Sequence, residues 1–255
     1  MKSEGTQSIS RAVALMRLIS SYSVRGARLT DLANDARLTM PTARRMLKCL
    51  ADEGLIEQDA QTRRYRIGAL TFELGLASYH HSKLIGTWRP LMERLAVETG
   101  DAIYLVIRNG LDSVCLDRVV GDYPIKAMVL DVGGRLPLGI GSGSIALLAS
   151  LADDEVNEII AKNSTRLPRF VGYVQNELKK AVARTRKEGY GLTTELITPG
   201  VSAIGLAIPE KKVVPFAALS ISAVSSRFNG DRQATLVAAL SKAIADGLPA
   251  HHKLG

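Results

Sequence analysis

The sequence predicts an α+β protein in two parts: an N-terminal winged helix-turn-helix, and a larger C-terminal domain of strands and helices joined to it by a connector helix. Three observations predict this. Residues 29–68 read as helix, tight turn, helix and basic hairpin. Residues 68–81 follow the hairpin as a helix that is apolar over much of its surface. From residue 102 onward, β-rich runs alternate with amphipathic helical runs. A chain of 255 residues, 46% apolar, has room for two cores. The expected boundaries are 1–67 for the winged helix-turn-helix, 68–84 for the connector and 85–255 for the second domain.

The first helix is expected over residues 8–24. Ile9, Val13, Met16 and Ile19, with Leu15 and Leu18, give it a broad apolar face for the two helices that follow. Thr30 is placed to cap the next helix, and Asp31 sits in its first turn, where a carboxylate meets the positive helix end. Leu32, Ala33 and Ala36 are its buried positions, and Arg37-Leu38 lead into the turn. Thr39 caps the third helix, and Pro41 falls in its first turn, where a missing N–H costs nothing. Ala43, Met46, Leu47 and Leu50 form one apolar stripe, with Thr42, Arg44, Arg45 and Lys48 opposite, and Gly54 ends the helix. Residues 55–56 and 65–67 read as short strands around a loop that returns through Arg63 and Arg64.

No acidic residue occurs between residues 37 and 51, which suits a helix lying against phosphate. The candidate contacts to double-stranded DNA are Thr39, Pro41, Thr42, Arg44, Arg45, Lys48, Arg63 and Arg64. The short side chains at the helix start allow close approach to base edges, and Arg45 can reach a guanine with two hydrogen bonds. Arg44 and Lys48 are better placed for phosphates, and the basic hairpin tip is a wing. A solvated basic face is the plain alternative for the helix alone. Helix spacing, acid-free stretch and basic hairpin together favour DNA.

In the connector, Leu70, Leu74 and Ala77 share a face that Phe72 and Leu76 broaden. A separate helix is expected at 88–99, ended by Gly100. Strands follow at 102–107 and 113–120, joined at Asn109-Gly110, a strong hairpin signal. A third strand is expected at 125–130, and then a glycine-rich loop from Gly133 to Ser144. Helices at 145–151, 153–161 and 174–188, strands at 201–208 and 216–223, and a helix at 231–248 complete the domain. On the 174–188 helix, Leu178, Ala181, Val182 and Thr185 face inward, and Lys179, Lys180, Arg184 and Lys187 form a solvated face. A sheet flanked by such helices makes a half-barrel pocket for a small ligand.

Gly141-Ser142-Gly143-Ser144 opens a helix, so main-chain N–H groups and hydroxyls converge at its positive end, a ready carboxylate site. A turn that needs glycine for its backbone alone is the alternative. Ser220 and Ser222 alternate with Ile221 and share one side of a strand, which either lines a pocket or faces water.

The net charge is +8 and the pI about 9.6, which favours a polyanionic partner. The excess is denser in the first 75 residues, where 12 Lys/Arg stand against 8 Asp/Glu. Cys49 and Cys115 have no Cys or His partner at a metal spacing, so no zinc site or other cofactor is expected, and both read as free, buried thiols. There is no run of about 18 apolar residues and no apolar signal core at the N-terminus. A bacterial, cytoplasmic protein associated with the nucleoid is expected.

With these elements in place, the chain resembles the IclR family of bacterial transcription regulators over about residues 6–250. Five stretches carry the resemblance: QSISRAVALMRLIS at 7–20, the block at 29–68, GGRLPLGIGSGSIALLA at 133–149, EGYGLTTELITPGVSAIGLAIP at 188–209 and AALSIS at 217–222. The resemblance implies a GAF-like effector-binding domain for a small molecule, often a carboxylate or an aromatic metabolite. It also implies dimers, commonly paired into tetramers, on the palindromic operator of a catabolic or transport operon. Carried over by motif, the effector candidates are Ser142 and Gly143 in the glycine-rich loop, Thr193 and Ala203 after the EGY turn, and Ser220 and Ser222 on the last strand. The chain departs from the family pattern at four places. Thr193 stands where an acid is common, Ala203 where a cysteine is common, Gly139 where a histidine is frequent and Ile145 where a lysine is frequent. The implied pocket is less polar than usual and suits a larger, partly apolar ligand better than a very small, highly charged acid.

Two other functions compete. One is an enzyme with a small-molecule hydrolase-like C-terminal domain fused to the DNA-binding module, suggested by the serines of the glycine-rich loop. That loop contains no G-x-S-x-G elbow, and its glycines do not fit a G-x-G-x-x-G dinucleotide site. The four histidines, His80, His81, His251 and His252, offer no credible Ser–His pair. The other is a nonspecific architectural DNA protein, which leaves the second domain without a role.

Overall fold

Leu15, Ile19, Leu32, Leu47 and Ile56, all fully buried, are the centre on which the N-terminal part of the chain folds. The structure, a computed structural model, describes residues 6–22, 25–77, 79–167, 170, 175–210 and 216–248. It falls into two units, Met1–Ser82 and Lys83–Gly255. His251 and His252 lie outside the described residues.

The first unit runs α1 (Gln7–Ser21), α2 (Leu29–Asp35), α3 (Met40–Asp52), β1 (Ile56–Gln58), β2 (Tyr65–Ile67) and α4 (Ala69–Leu76). The turn between α2 and α3 is tight because Arg37 takes a left-handed conformation, φ 52°. This lets its N–H reach the Asn34 carbonyl at 3.0 Å and the Leu38 N–H reach the Ala33 carbonyl at 2.9 Å. β1 and β2 pair antiparallel, Ile56 opposite Ile67, and Ala27 extends the ribbon by exchanging both main-chain bonds with Tyr65. Two capping expectations change. α2 starts two residues early, with Arg28 rather than Thr30 at the N-cap, and the Thr30 hydroxyl turns to the Asp31 carboxylate at 3.3 Å. Thr39 does occupy the N-cap of α3, but its hydroxyl bonds the Thr42 hydroxyl rather than a main-chain N–H.

The second unit contains a six-stranded antiparallel sheet in the order β5-β4-β3-β8-β7-β6. Its strands are β3 (Ala102–Asn109), β4 (Asp112–Val120), β5 (Arg135–Pro137), β6 (Gly191–Thr194), β7 (Val201–Ala207) and β8 (Ala217–Val224). One face carries α5 (Tyr79–Thr99) and α9 (Gly230–Gly247), whose Trp88, Met92, Leu95, Leu236 and Leu240 pack on Ile103, Leu105, Leu219 and Ile221. The other carries α6 (Ser142–Ala149), α7 (Asp153–Asn163) and α8 (Gln175–Glu188). There Ile145, Leu148, Val156 and Leu178 pack with Tyr104, Val106 and Ala218. Successive strand residues feed opposite faces, which is why one strand serves both cores.

Three expectations fail here. The 125–130 strand does not form. That segment lies outside the ladder, and the short β5 pairs with β4 in its place, Leu136 opposite Ser113. β6 was not anticipated. The connector and the 88–99 helix are divided differently: α4 ends at Leu76, and α5 runs from Tyr79 through Pro90 to Thr99. Gly86 and Pro90 weaken the helical signal, but burial of Trp88, Leu91 and Met92 outweighs it.

A bulge in β4 shifts the β3–β4 register between Leu105 and Val106. It places Asp117 opposite Leu105, on the α5 face, where Arg89 meets both of its carboxylate oxygens at 2.9 and 3.1 Å. At the start of β3, Asp101 is 2% exposed and bridges Arg227 at 2.5 Å and Arg232 at 2.6 Å. The Arg227 guanidinium also stacks 3.8 Å from the Tyr123 ring centroid. Asp101 thus ties the sheet to the segment entering α9. Replacing Asp101 with Ala strands two part-buried guanidinium groups. We expect a loss of about 2–4 kcal/mol in urea unfolding, slightly under the range for a fully buried pair because both arginines keep some water contact. A loss well under 1 kcal/mol would show the bridge to be incidental.

Candidate functional site

Two regions gather the candidate residues, one in each unit. In the first, α3 and the β1–β2 hairpin border a basic groove lined by Arg28, Pro41, Arg44, Arg45, Lys48, Thr62 and Arg63, with Asp52 the one carboxylate among the described lining residues. None of the five cations has an ion-pair partner among the described residues. Unpaired cations along one groove are what a polyanion releases counterions to reach. Thr39 and Thr42 sit at the α3 N-terminus, their hydroxyls 2.8 Å apart. Arg28 was not anticipated. It precedes α2, and no periodicity in the sequence carries it to the groove.

The wing is organised by Asp59. One carboxylate oxygen accepts the Gln61 N–H at 3.1 Å, the Thr62 N–H at 2.7 Å and the Thr62 hydroxyl at 2.9 Å, and the other accepts Arg66 at 3.1 Å. The bonds from Thr62, then those from Gln61 and Arg66, hold its carboxyl at about 2, below the usual Asp range. Arg63 takes the left-handed φ of 57° at the tip, fixed by its N–H to the Asp59 carbonyl and by Gln58 donating to its own carbonyl. Arg64 is drawn elsewhere: its guanidinium donates to the Gly26 carbonyl at 2.8 Å and braces the wing against the start of the ribbon. Cys49, expected to be buried, is exposed on α3, because it falls between the apolar stripe positions Leu47 and Leu50.

In the second unit, all six effector candidates line one cavity of about 40 Å³. The sheet register explains why. Ser222, Ala203 and Thr193 lie directly opposite one another across β8, β7 and β6, and Ser220, Gly205 and Gly191 make the next row on the same face. The second row lacks side chains on β7 and β6, and the start of α6 settles there. A Cβ at Gly205 would stand 2.3 Å from the Gly143 nitrogen, and one at Gly191 would stand 2.3 Å from the Ser142 carbonyl oxygen. A Cβ at Gly143 would meet Val106 Cγ2 at 2.8 Å. The first main-chain N–H groups of α6 are therefore held over the two rows. They have no partner within the helix, and Gly141 precedes them at φ 92°.

Ser142, Thr193, Ser220 and Ser222 are each more than nine-tenths buried, and their hydroxyls have no hydrogen-bond partner among the described residues. Most of the remaining wall is apolar: Val106, Val129, Leu130, Leu136, Ile140, Leu196 and Ile197. No described lining residue is charged. Tyr104, Ser113 and Thr198 also line the cavity and were not anticipated. Tyr104 belongs to the Ser220 row through β3, a relation that only the pairing register reveals.

Comparison with known proteins gives consistent matches along the whole chain. The family model described as IclR helix-turn-helix domain matches residues 8–60, and the one described as Bacterial transcriptional regulator IclR C-terminal matches residues 76–246. The HTH-type transcriptional repressor AllR of Salmonella typhi is 30% identical over 254 residues, covering 96% of this chain and 91% of that protein. The transcriptional repressor IclR of Escherichia coli is 28% identical, covering 93% and 87%. Among solved structures, an IclR homolog from Microbacterium hydrocarbonoxydans complexed with 4-hydroxybenzoate aligns with a TM-score of 0.76 at 22% identity, covering 94% of this chain and 97% of that one. An IclR regulator from Alicyclobacillus acidocaldarius aligns with a TM-score of 0.76 at 20% identity, covering 94% and 96%.

The groove geometry makes two predictions. Replacing Arg44 or Lys48 with Ala should each lower the slope of log affinity for duplex DNA against log salt by about one unit. Replacing Arg64 should leave the slope alone and lower only thermal stability; a slope change equal to that of Arg44 would return Arg64 to the DNA. Asp59 has a depressed folded-state pKa, so its contribution to wing order is complete above the ordinary Asp value and is lost as pH falls through about 2. Amide protection at Thr62 should therefore survive acidification below the usual Asp range and fall only near pH 2, whereas in Asp59→Ala, which has no acceptor, it should be low at every pH.

Proposed function

We propose a ligand-responsive mode of action for this chain, which belongs to the IclR family of bacterial transcription regulators and is a DNA-binding transcription regulator. Residues 1–67 read DNA, residues 85–255 bind an effector, and residues 68–84 connect them. The observation that carries the effector reading is the convergence on one cavity of the α6 N-terminus and four hydroxyls of buried residues, unpartnered among the described residues, with no charged residue in the described lining.

An effector suited to that cavity is a monocarboxylate with an apolar or aromatic body. Its carboxylate is held by the α6 main-chain N–H groups with Ser142 and Ser220, and its body by the apolar wall. A dicarboxylate would bury a second charge with no cation to meet it. The 4-hydroxybenzoate held by the Microbacterium protein is a ligand of this type.

A second copy of the chain fits the apolar surface that the first unit leaves uncovered. Ile9 and Val13 on α1 are exposed, as are Phe72, Leu74 and Leu76 on α4. Two readers joined in this way match a palindromic operator, and a pair of such dimers gives the tetramer. The setting is the cytoplasm, on the nucleoid. Effector binding changes operator affinity by favouring one arrangement of the paired readers over another.

The reading is tested by fluorescence anisotropy of the full chain on the DNA upstream of its own gene, against a shuffled duplex, over a salt series. We expect a preference of about a thousandfold, with a log–log salt slope of several units. Equal, weak binding to both duplexes, with and without a panel of monocarboxylates, would refute sequence-specific regulation at that site.

A further inference from the structure

The cavity is closed on one side by residues 121–134, which form no helix or strand. Val129 and Leu130 point into the cavity, while Ile125, Met128 and Val132 are each more than half exposed. The two ends are tied by main-chain bonds. The Gly121 N–H donates to the Asp101 carbonyl and the Tyr123 N–H to the Gly100 carbonyl. At the far end, the Gly133 N–H donates to the Cys115 carbonyl and the Cys115 N–H to the Gly134 carbonyl. The middle is held by side chains. The Tyr104 hydroxyl accepts the Val129 N–H at 3.0 Å and donates to the Ala127 carbonyl at 3.3 Å. Arg118, directly opposite Tyr104 on β4, donates to the Leu130 carbonyl at 2.9 Å and to Asp131 at 3.0 Å.

A void of about 40 Å³ holds only a few waters, at roughly 10–15 Å³ of such volume each, so a ring-bearing acid requires a wall to yield. The other walls are the sheet and α6, seated on glycines at backbone contact, and the 195–201 turn. Segment 121–134 depends on side-chain bonds from within.

We propose that residues 122–132 are a lid over this cavity and that the Tyr104 hydroxyl is the latch that holds it shut, so that access to the cavity requires the Ala127 and Val129 bonds to break. The proposal rests on the cavity being the ligand site only for its purpose; the latch itself is tested without ligand. Tyr104 acts here by positioning the lid, and the same hydroxyl, once released, faces an incoming ligand. Its proton is held firmly, because burial raises the phenol pKa.

Cys115 supplies the reporter. Its thiol is 1% exposed, lies within electrostatic reach of Tyr104, Arg118 and Asp131, and is pushed up to about 12 by burial, which keeps it unreactive while covered. Cys49, exposed on α3, is the reference in the same molecule.

The experiment is iodoacetamide alkylation of the full, ligand-free chain, followed at both cysteines by peptide mass spectrometry, with hydrogen exchange in parallel. In Tyr104→Phe, which keeps the ring and removes both bonds, we expect Cys115 to react at least about fivefold faster. Exchange at the 127–130 amides should rise with it, and Cys49 and the central β3 and β8 amides should keep their wild-type rates. Arg118→Gln should accelerate Cys115 as well, by releasing Leu130. An unchanged Cys115 rate in Tyr104→Phe overturns the latch. So does an acceleration matched by the β3 and β8 amides, since that reports unfolding of the whole domain. Either failure leaves the effector reading of the cavity standing, because that reading is judged by ligand and operator binding.

Discussion

The second unit depends on how closely α6 can approach the sheet. Gly205 and Gly191 leave a strip of β7 and β6 without side chains, and Gly143 leaves the first turn of α6 without one, so backbone meets backbone. This contact sets the height of α6 above β3, β8 and β7 and places its first N–H groups over the Ser220 and Ser222 rows. It also fixes Ile145 and Leu148 in the core shared with Leu178. A methyl group on any of the three glycines has to push backbone or a buried valine aside, so the cavity and the core beneath it share one steric cause.

Charge is divided in a way that follows function. In the second unit several arginines are engaged by carboxylates: Arg89 with Asp117, Arg135 and Arg166 with Asp112, Arg186 with Asp153, and Arg227 and Arg232 with Asp101. The described lining of the cavity, by contrast, carries no charge. In the first unit, Arg28, Arg44, Arg45, Lys48 and Arg63 share one groove without carboxylate partners among the described residues. The net charge of +8 therefore understates the reader, where the positive charge is free, and overstates the effector unit, where much of it is structural. Neutral hydroxyls and helix N–H groups suit a single carboxylate because they solvate it without an opposing charge that would hold a second.

Much of this was legible in the residues. The apolar stripe of α3, the hairpin at Asn109-Gly110, the opening of α6 at Ser142 and the α+β character of the second unit all follow from period and turn chemistry, whereas its GAF-like character came only with the family resemblance. The six effector candidates were reached by motif, and they share a cavity because the strands align Ser222 with Ala203 and Thr193. What stayed hidden depends on register or distant packing. Residues 125–130 have strand composition, but Tyr104 and Arg118 satisfy their main chain in place of a neighbouring strand. Arg64 looks like a wing contact until Gly26 is found beside it, and Cys49 looks buried until the phase of α3 is fixed by Leu47 and Leu50. Pro90 weakens the helical signal, yet α5 passes through it because Trp88 and Met92 are buried on either side.

The account's central claim is that occupancy of the glycine-seated cavity controls the affinity of the reader for its operator. The most direct measurement is operator affinity in the presence of a panel of aromatic and aliphatic monocarboxylates, for the wild-type chain and for Ser220→Ala/Ser222→Ala, which keeps the fold and loses two of the hydroxyls. The account predicts that the active acid shifts wild-type operator affinity by about tenfold or more, and that the variant binds the operator normally while needing a much higher concentration of that acid. An acid that shifts both proteins at the same concentration would contradict it, because the response would then arise from another site.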